Sequence, residues 1–254
     1  MADKKSPPRF DLKSTTGKSG RLVQILGTAF VVIFAVAVVG YIVISHHDKK
    51  SATTGQGDTV RVASSKVVNA PGTNNPKAVV SFYEDFLCPA CGNFERTFGP
   101  AVAKLIDIGA IAADYSMVSI LDSQRNQNYS SRAGAAALCV ADESKDAFRI
   151  FRTHLFDDGV QPDERGTSFP DNAKLIEIAR QAGAVGKVPD CVNSGKYLDK
   201  VSAEAAAANI TATPTIKING ENYDPSTPDA LITKIKSIVG DVPGIDTVVT
   251  PAKS

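Results

Sequence analysis

The chain has 254 residues, with 28 Lys and Arg against 27 Asp and Glu and a net charge of +1. Apolar residues make up 43%, enough to bury one large core or two small ones. Eight of the 28 basic and three of the 27 acidic residues lie in residues 1–50, leaving 20 and 24 beyond, a net −4 there. A chain so balanced lacks the basic face that nucleic acid requires, which excludes that class of partner.

Residues 1–21 are polar, basic and rich in Pro, Ser and Gly, and read as a disordered tail. From Leu22 to Ile44 there is no charged residue, a span of the length that crosses a bilayer. It is too long for the apolar core of a cleaved signal peptide, and Ser45 to Lys50 makes a poor cleavage site. An uncleaved single transmembrane helix over 22–44 is therefore expected. Lys4, Lys5, Arg9, Lys13, Lys18 and Arg21 precede it and only Lys49 and Lys50 follow closely. That asymmetry puts the N-terminus in the cytoplasm and the rest outside, on the extracytoplasmic or periplasmic side of the cell membrane. Residues 45–57 form a flexible linker.

The folded part starts near Asp58. Val60, Val62, Val67 and Val68 predict a first strand or hairpin, and residues 69–76 a turn-rich break. The continuous apolar run Val79 to Phe86 predicts a strand covered on both faces. Cys88-Pro89-Ala90-Cys91 follows, then a helix from Gly92 to about Ile106. Ile111 to Ile120 predicts a strand parallel to the preceding one. A helical block comes next: Ser130 to Ala141, Lys145 to Phe156 with Phe148, Phe151, Leu155 and Phe156 on one face, a helix capped by Asp171, and one from about Pro189 to Ala208. Phe148, Phe151, Leu155 and Phe156 read as core, or else as part of an apolar groove. Thr215 to Ile218, Asn219-Gly220 and Glu221 to Tyr223 read as a hairpin. Pro228 opens a last helix, and residues 241–254 read as a loose tail. Strands alternating with helices predict an α/β sheet with a helical insertion.

Two cysteines three apart where a strand passes into a helix can close a disulfide across one helical turn. The first sulfur then caps the helix, where unpaired N–H groups and the positive dipole end favour a thiolate. Pro89 suits the first helical position, where its missing N–H costs nothing. As a static disulfide the pair would close too small a loop to constrain the unfolded chain much. A zinc site would need further ligands, and the histidines are only His46, His47 and His154. An exported domain lies where disulfides persist. Four cysteines allow three pairings, and the Cys88/Cys91 pair leaves Cys139 with Cys191. Closing those 52 positions would contribute about 4 kcal/mol in the chain-entropy model, as a structural bond; an auxiliary redox role is the alternative. Glu84 lies in an otherwise apolar strand. Buried beneath the dithiol it would have a raised pKa and could take the Cys91 proton, whereas a place at the strand end would leave it solvated. Asp85 is expected to be solvated.

The run Tyr83 to Cys91, the helical insertion, and Thr213-Pro214-Thr215 before the hairpin resemble the DsbA-like thiol:disulfide oxidoreductases, and in particular their actinobacterial membrane-anchored members. The resemblance covers about Val60 to Gly240. It implies a thioredoxin-like fold in two parts, residues 58–128 and 210–240, around an inserted α-helical domain at 129–209. It implies an enzyme in which Cys88 is the exposed nucleophile, Cys91 the resolving thiol, and Pro214 a cis proline that turns the Thr213 backbone toward the sulfurs and the substrate. Its partners would be unfolded exported proteins with cysteines and a quinone-linked membrane reoxidase of DsbB or VKOR type. No metal or organic cofactor is expected beyond the redox-active disulfide. One departure stands out: the best-known members have His where this chain has Ala90, which points to a weaker oxidant and keeps two alternatives in view, a disulfide isomerase and a reductase for haem-protein maturation. A non-enzymatic chaperone or binding module with a vestigial CxxC is the third.

Overall fold

The computed structural model describes residues 59–248. The expected transmembrane run at 22–44, the tail before it and the linker at 45–57 lie outside the described residues. Among the described residues no helix is long and apolar enough to cross a membrane.

Five strands form one sheet: β1 (Val60–Ala63), β2 (Val79–Glu84), β3 (Ala112–Met117), β4 (Thr215–Ile218) and β5 (Glu221–Asn222), in the spatial order β1-β3-β2-β4-β5. β2 and β3 are parallel, with Phe82 opposite Tyr115; every other pairing is antiparallel. The parallel pair needs a crossover, and α1 (Pro89–Asp107) provides it. β3 is buried along its whole length, while β1 alternates between buried and half-buried. This is the difference between a strand covered on both faces and one at an edge. Val67 and Val68 do not extend β1. Val68 instead bonds through its backbone to Gly109 and Lys77, where the chain loops back toward the start of β2.

Between β3 and β4 lies the helical insertion: α2 (Tyr129–Glu143), α3 (Lys145–Leu155), α4 (Asn172–Gln181), α5 (Val188–Asn193) and α6 (Leu198–Ala207). α2 is its axis, buried from Tyr129 to Ala141 apart from the half-covered Arg132. Ser144 caps α3 by accepting from Ala147 N, and Asp171 caps α4 by accepting from Lys174 N at 2.8 Å. Phe148, Phe151, Leu155 and Phe156 are all buried, so the stripe is core rather than groove. The single helix expected from Pro189 to Ala208 is two, because Gly195 takes a φ of +68° between them, a left-handed conformation that ends a helix.

The hairpin forms at Asn219 and Gly220, both at positive φ (51° and 88°), the combination of a type I′ turn. Asn219 also ties the turn to β2, its Oδ1 accepting from Val79 N at 2.8 Å and its Nδ2 donating to Lys77 O. α7 (Pro228–Val239) closes the domain against α1. Residues 241–248 are not a loose tail. Val242, Ile245 and Val248 are buried around a 3₁₀ turn at Ile245–Thr247, because apolar residues at threefold spacing return to the core.

Candidate active site

The sheet and α1 meet at Cys88. It is the N-cap of α1, extended at φ −71° and ψ 116°, with Pro89 in the first turn. Its carbonyl accepts the first helical bonds, from Cys91 N at 3.1 Å and Gly92 N at 3.2 Å. Both cysteines are free thiols. Cys88 retains 8% of its surface and Cys91 none, so the outer sulfur is largely buried rather than standing exposed.

The environment separates the two thiols. Cys88 is lowered to about 5, chiefly because its thiolate accepts from the Cys91 S–H, then from the Thr213 hydroxyl and the backbone N–H groups of Cys91 and Ala90; burial opposes this. Ala90 thus contributes a backbone N–H, and the thiol is strongly acidic without a neighbouring imidazole. Cys91 is driven far upward, first by burial, then by donating to Cys88, with the negative charge of Glu84 adding to it. One sulfur is ionised at neutral pH and the other keeps its proton, the division of labour that thiol exchange requires.

Thr213 arrives from 125 positions further along the chain. Its carbonyl lies 3.4 Å from Cys88 Sγ, placed to accept from the sulfur when that is protonated. The Thr213–Pro214 peptide bond is cis. β4 begins at the next residue and pairs with β2, and this pairing carries the Thr213 carbonyl to the dithiol.

Glu84 is wholly buried, at the end of β2. Both of its oxygens accept from Arg152 of α3, at 2.7 Å from Nε and 2.5 Å from Nη2. Arg152 also reaches Glu95 of α1 at 2.7 Å, and its guanidinium lies over the Tyr115 ring, 4.4 Å from the centroid. Thr153 donates to the other Glu95 oxygen. Burial raises Glu84 while Arg152 pulls the other way; burial also opposes the charge of Arg152, but the two carboxylates outweigh it. Asp85 is buried too, not solvated. Its Oδ1 accepts from Leu87 N and its Oδ2 from Leu121 N, both at 2.9 Å, which pins the turn before Cys88 to the loop after β3. Burial lifts it to about 6, the two amides restrain it, and the nearby Cys88 adds a smaller upward push.

The predicted site residues Cys88, Cys91, Thr213, Pro214 and Glu84 therefore converge. Cys139 and Cys191 stand apart in the insertion, bonded to each other between α2 and α5. Sequence reasoning missed Arg152, Glu95, Asp85 and Gln161. For Arg152 a signal existed: it sits four residues after Phe148 and three before Leu155, on the buried face of α3. Asp85 two residues before Leu87 carries the spacing of an Asx turn. Gln161 lies in a polar loop with no periodicity to mark it. Among the described residues no group of three or more His, Cys, Asp or Glu is arranged to hold a metal ion.

A family model described as Thioredoxin matches residues 67–237. The chain belongs to the thioredoxin family. Within that family, the reduced crystal structure of DsbA from Mycobacterium tuberculosis is 68% identical, covering 76% of this chain and 98% of its own, with a TM-score of 0.75. The reduced disulfide bond oxidoreductase DsbG from the same organism is also 68% identical, covering 79% and 96%, with a TM-score of 0.77. These place the chain with the DsbA-like thiol-disulfide oxidoreductases. MdbA, a thiol-disulfide oxidoreductase from Corynebacterium matruchotii, shares the fold at 22% identity over 72% of this chain and 94% of its own, with a TM-score of 0.56. The serine/threonine-protein kinase PknE of M. tuberculosis is 29% identical over 142 residues. The chain spans about a quarter of the length of these curated relatives.

Proposed function

We propose that this protein is a membrane-tethered, extracytoplasmic thiol:disulfide oxidase that donates the Cys88–Cys91 disulfide to newly exported proteins. The observation that carries the reading is the acidic Cys88 sulfur on the first amides of α1, within reach of a buried, protonated Cys91. A client thiolate attacks Cys88 Sγ, the Cys88–Cys91 bond breaks, and Cys91 leaves and takes up a proton. A second client thiolate attacks the client's own sulfur in the mixed disulfide and expels Cys88 as a thiolate. The client loses two electrons and gains a disulfide; the protein gains the two electrons and becomes the dithiol. The acidity of Cys88 makes it a good leaving group and draws the exchange toward the client disulfide.

The Thr213 carbonyl beside the sulfurs would pair with the client backbone, with Pro214 holding it there. Glu84, with both oxygens engaged by Arg152, would act on Cys91 through its charge; Asp85, titrating near neutrality beside Cys88, is the better placed of the two to relay the proton. The chemistry draws on sulfur alone, with no metal or organic cofactor. Reoxidation would fall to a quinone-linked membrane enzyme of DsbB or VKOR type, and the anchor at 22–44 would raise its effective concentration. The Cys139–Cys191 bond would be structural.

Trapping tests this reading. With Cys91 replaced by Ala and Cys88 left free, mixed disulfides with exported proteins should accumulate in cells. If none attach to Cys88, the donor-to-client reading fails. The reduction potential decides the direction: a value near −270 mV, as in thioredoxin, would favour a reductase, and a clearly more oxidising one the oxidase.

A further inference from the structure

The loop after α3 leans directly on the dithiol. Phe156 packs on Phe86, ring centroids 4.9 Å apart. Arg96 of α1 donates to the Phe156 carbonyl at 2.6 Å and pairs with Asp158 at 3.2 Å. Five residues beyond Phe156, the carboxamide of Gln161 reaches back across the start of α1. Its Nε2 donates to the Cys88 carbonyl at 2.9 Å and to the Phe86 carbonyl at 3.2 Å, while its Oε1 faces Arg96 Nη1 at 3.5 Å. Two carbonyls on one side and a guanidinium on the other fix which way the amide points, and a carboxylate could not replace it.

Gly92 confirms how tightly this group fits. A methyl group there would lie 2.0 Å from Gln161 Oε1 and 2.8 Å from Arg96 Nη1. Gly92 is an ordinary helical residue, so its backbone does not call for glycine. Glycine is unfavourable in a helix, and here what it provides is room.

We propose that Gln161 is a positioning residue for thiol exchange: by bridging the carbonyls of Phe86 and Cys88 it holds the Cys88 sulfur on the first amides of α1 and so sets the reactivity of the dithiol. The Cys88 carbonyl takes three donors, Gln161 and the two helical N–H groups. With the carbonyls on both sides of Leu87 held, the direction of the Cys88 Cα–Cβ bond is fixed, and with it the distance from sulfur to the N–H groups of Ala90 and Cys91. The insertion thereby acts on the chemistry as well as covering it. This inference rests on the exchange reading above, and it adds a residue to which sequence gave no clue.

The test is the pH profile of Cys88 alkylation in the reduced protein, together with the equilibrium against glutathione. Gln161→Ala should move the alkylation midpoint up by about one pH unit and lower the oxidising equilibrium constant about tenfold, because the thiolate loses stabilisation. Gly92→Ala, which pushes the carboxamide aside, should produce the same shift, and the double variant no more than either alone. Val160→Ala loosens the same loop without touching the amide. It should lower the melting temperature and leave the midpoint in place. A Gln161→Ala midpoint matching the unaltered protein would overturn the inference, as would additive shifts in the double variant. If the unaltered protein shows no exchange with glutathione, the exchange reading itself fails, and the alkylation midpoints still decide whether Gln161 positions the sulfur.

Discussion

The molecule contains two cysteine pairs that share a chemistry and differ in everything around them. Cys88 and Cys91 are three positions apart at a helix start, unbonded, with one thiol acidified and the other suppressed. Cys139 and Cys191 are 52 positions apart, join two helices of the insertion, and are bonded. The first pair constrains almost no chain but sits where amides and a neighbouring thiol stabilise an anion. The second closes a long loop within the insertion. A sulfur's role is therefore set by the dipoles and the loop length around it, not by its being a cysteine.

The sharpest way to break this contrast is to exchange the roles. Cys88→Ser should reduce thiol exchange to background in an assay that follows oxidation of a reduced peptide, with the circular dichroism spectrum unchanged. The double variant Cys139→Ala, Cys191→Ala should keep its exchange rate within about twofold when assayed where it stays folded. A large rate loss in that double variant would make the second pair a redox partner of the first.

Stability should order the other way. Removing the Cys139–Cys191 bond should cost about 4 kcal/mol in denaturant unfolding, whereas reducing Cys88–Cys91 should cost none of that loop entropy. Arg152→Met, which strands Glu84 and Glu95 in the core beneath the dithiol, should cost about 3–5 kcal/mol by the same measurement.

The smallest effect has a sign that only the first pair can produce. In the reduced protein Cys88 is lowered from 9.0 to about 5. Its contribution is fully present above pH 9 and is lost as pH falls through 5. The oxidised protein has no such group. The stability of the reduced form relative to the oxidised form should therefore rise between pH 5 and 9. Asp85 works oppositely: it is raised from 3.8 to about 6, so its contribution falls as pH rises through that interval. It does so in both redox forms and largely cancels in the difference. A reduced-minus-oxidised melting temperature that is flat from pH 5 to 9 would remove the acidified-thiol argument.

Local rules made much of this legible in advance. Cys88-Pro89-Ala90-Cys91 at a strand-to-helix junction, Asn219-Gly220 between two short strands, and Asp171 ahead of an apolar periodic run each carry their own geometry, and each is found as read. What failed depended on neighbours distant in sequence. Asp85 looks solvated until the loop carrying Leu121 folds over it. Glu84 is buried with a raised pKa, one of the two placements read for it, but its partner Arg152 lies 68 positions away and β2 alone does not announce it. The break at Gly195 is the local exception: the glycine itself permits the left-handed turn, while the residues flanking it favour helix.

The 125 positions between Cys88 and Thr213 also impose an order on biogenesis. A ribosome that has just completed the CxxC segment has made neither the insertion nor β4. The contacts that acidify the outer sulfur through Thr213 close only when the C-terminal hairpin docks on β2. Until then the nascent sulfur has only the Cys91 thiol and the first amides of α1 to stabilise its charge, without the contribution of Thr213. The long detour through the helices thus postpones the Thr213 contact until the insertion and β4 have both been made.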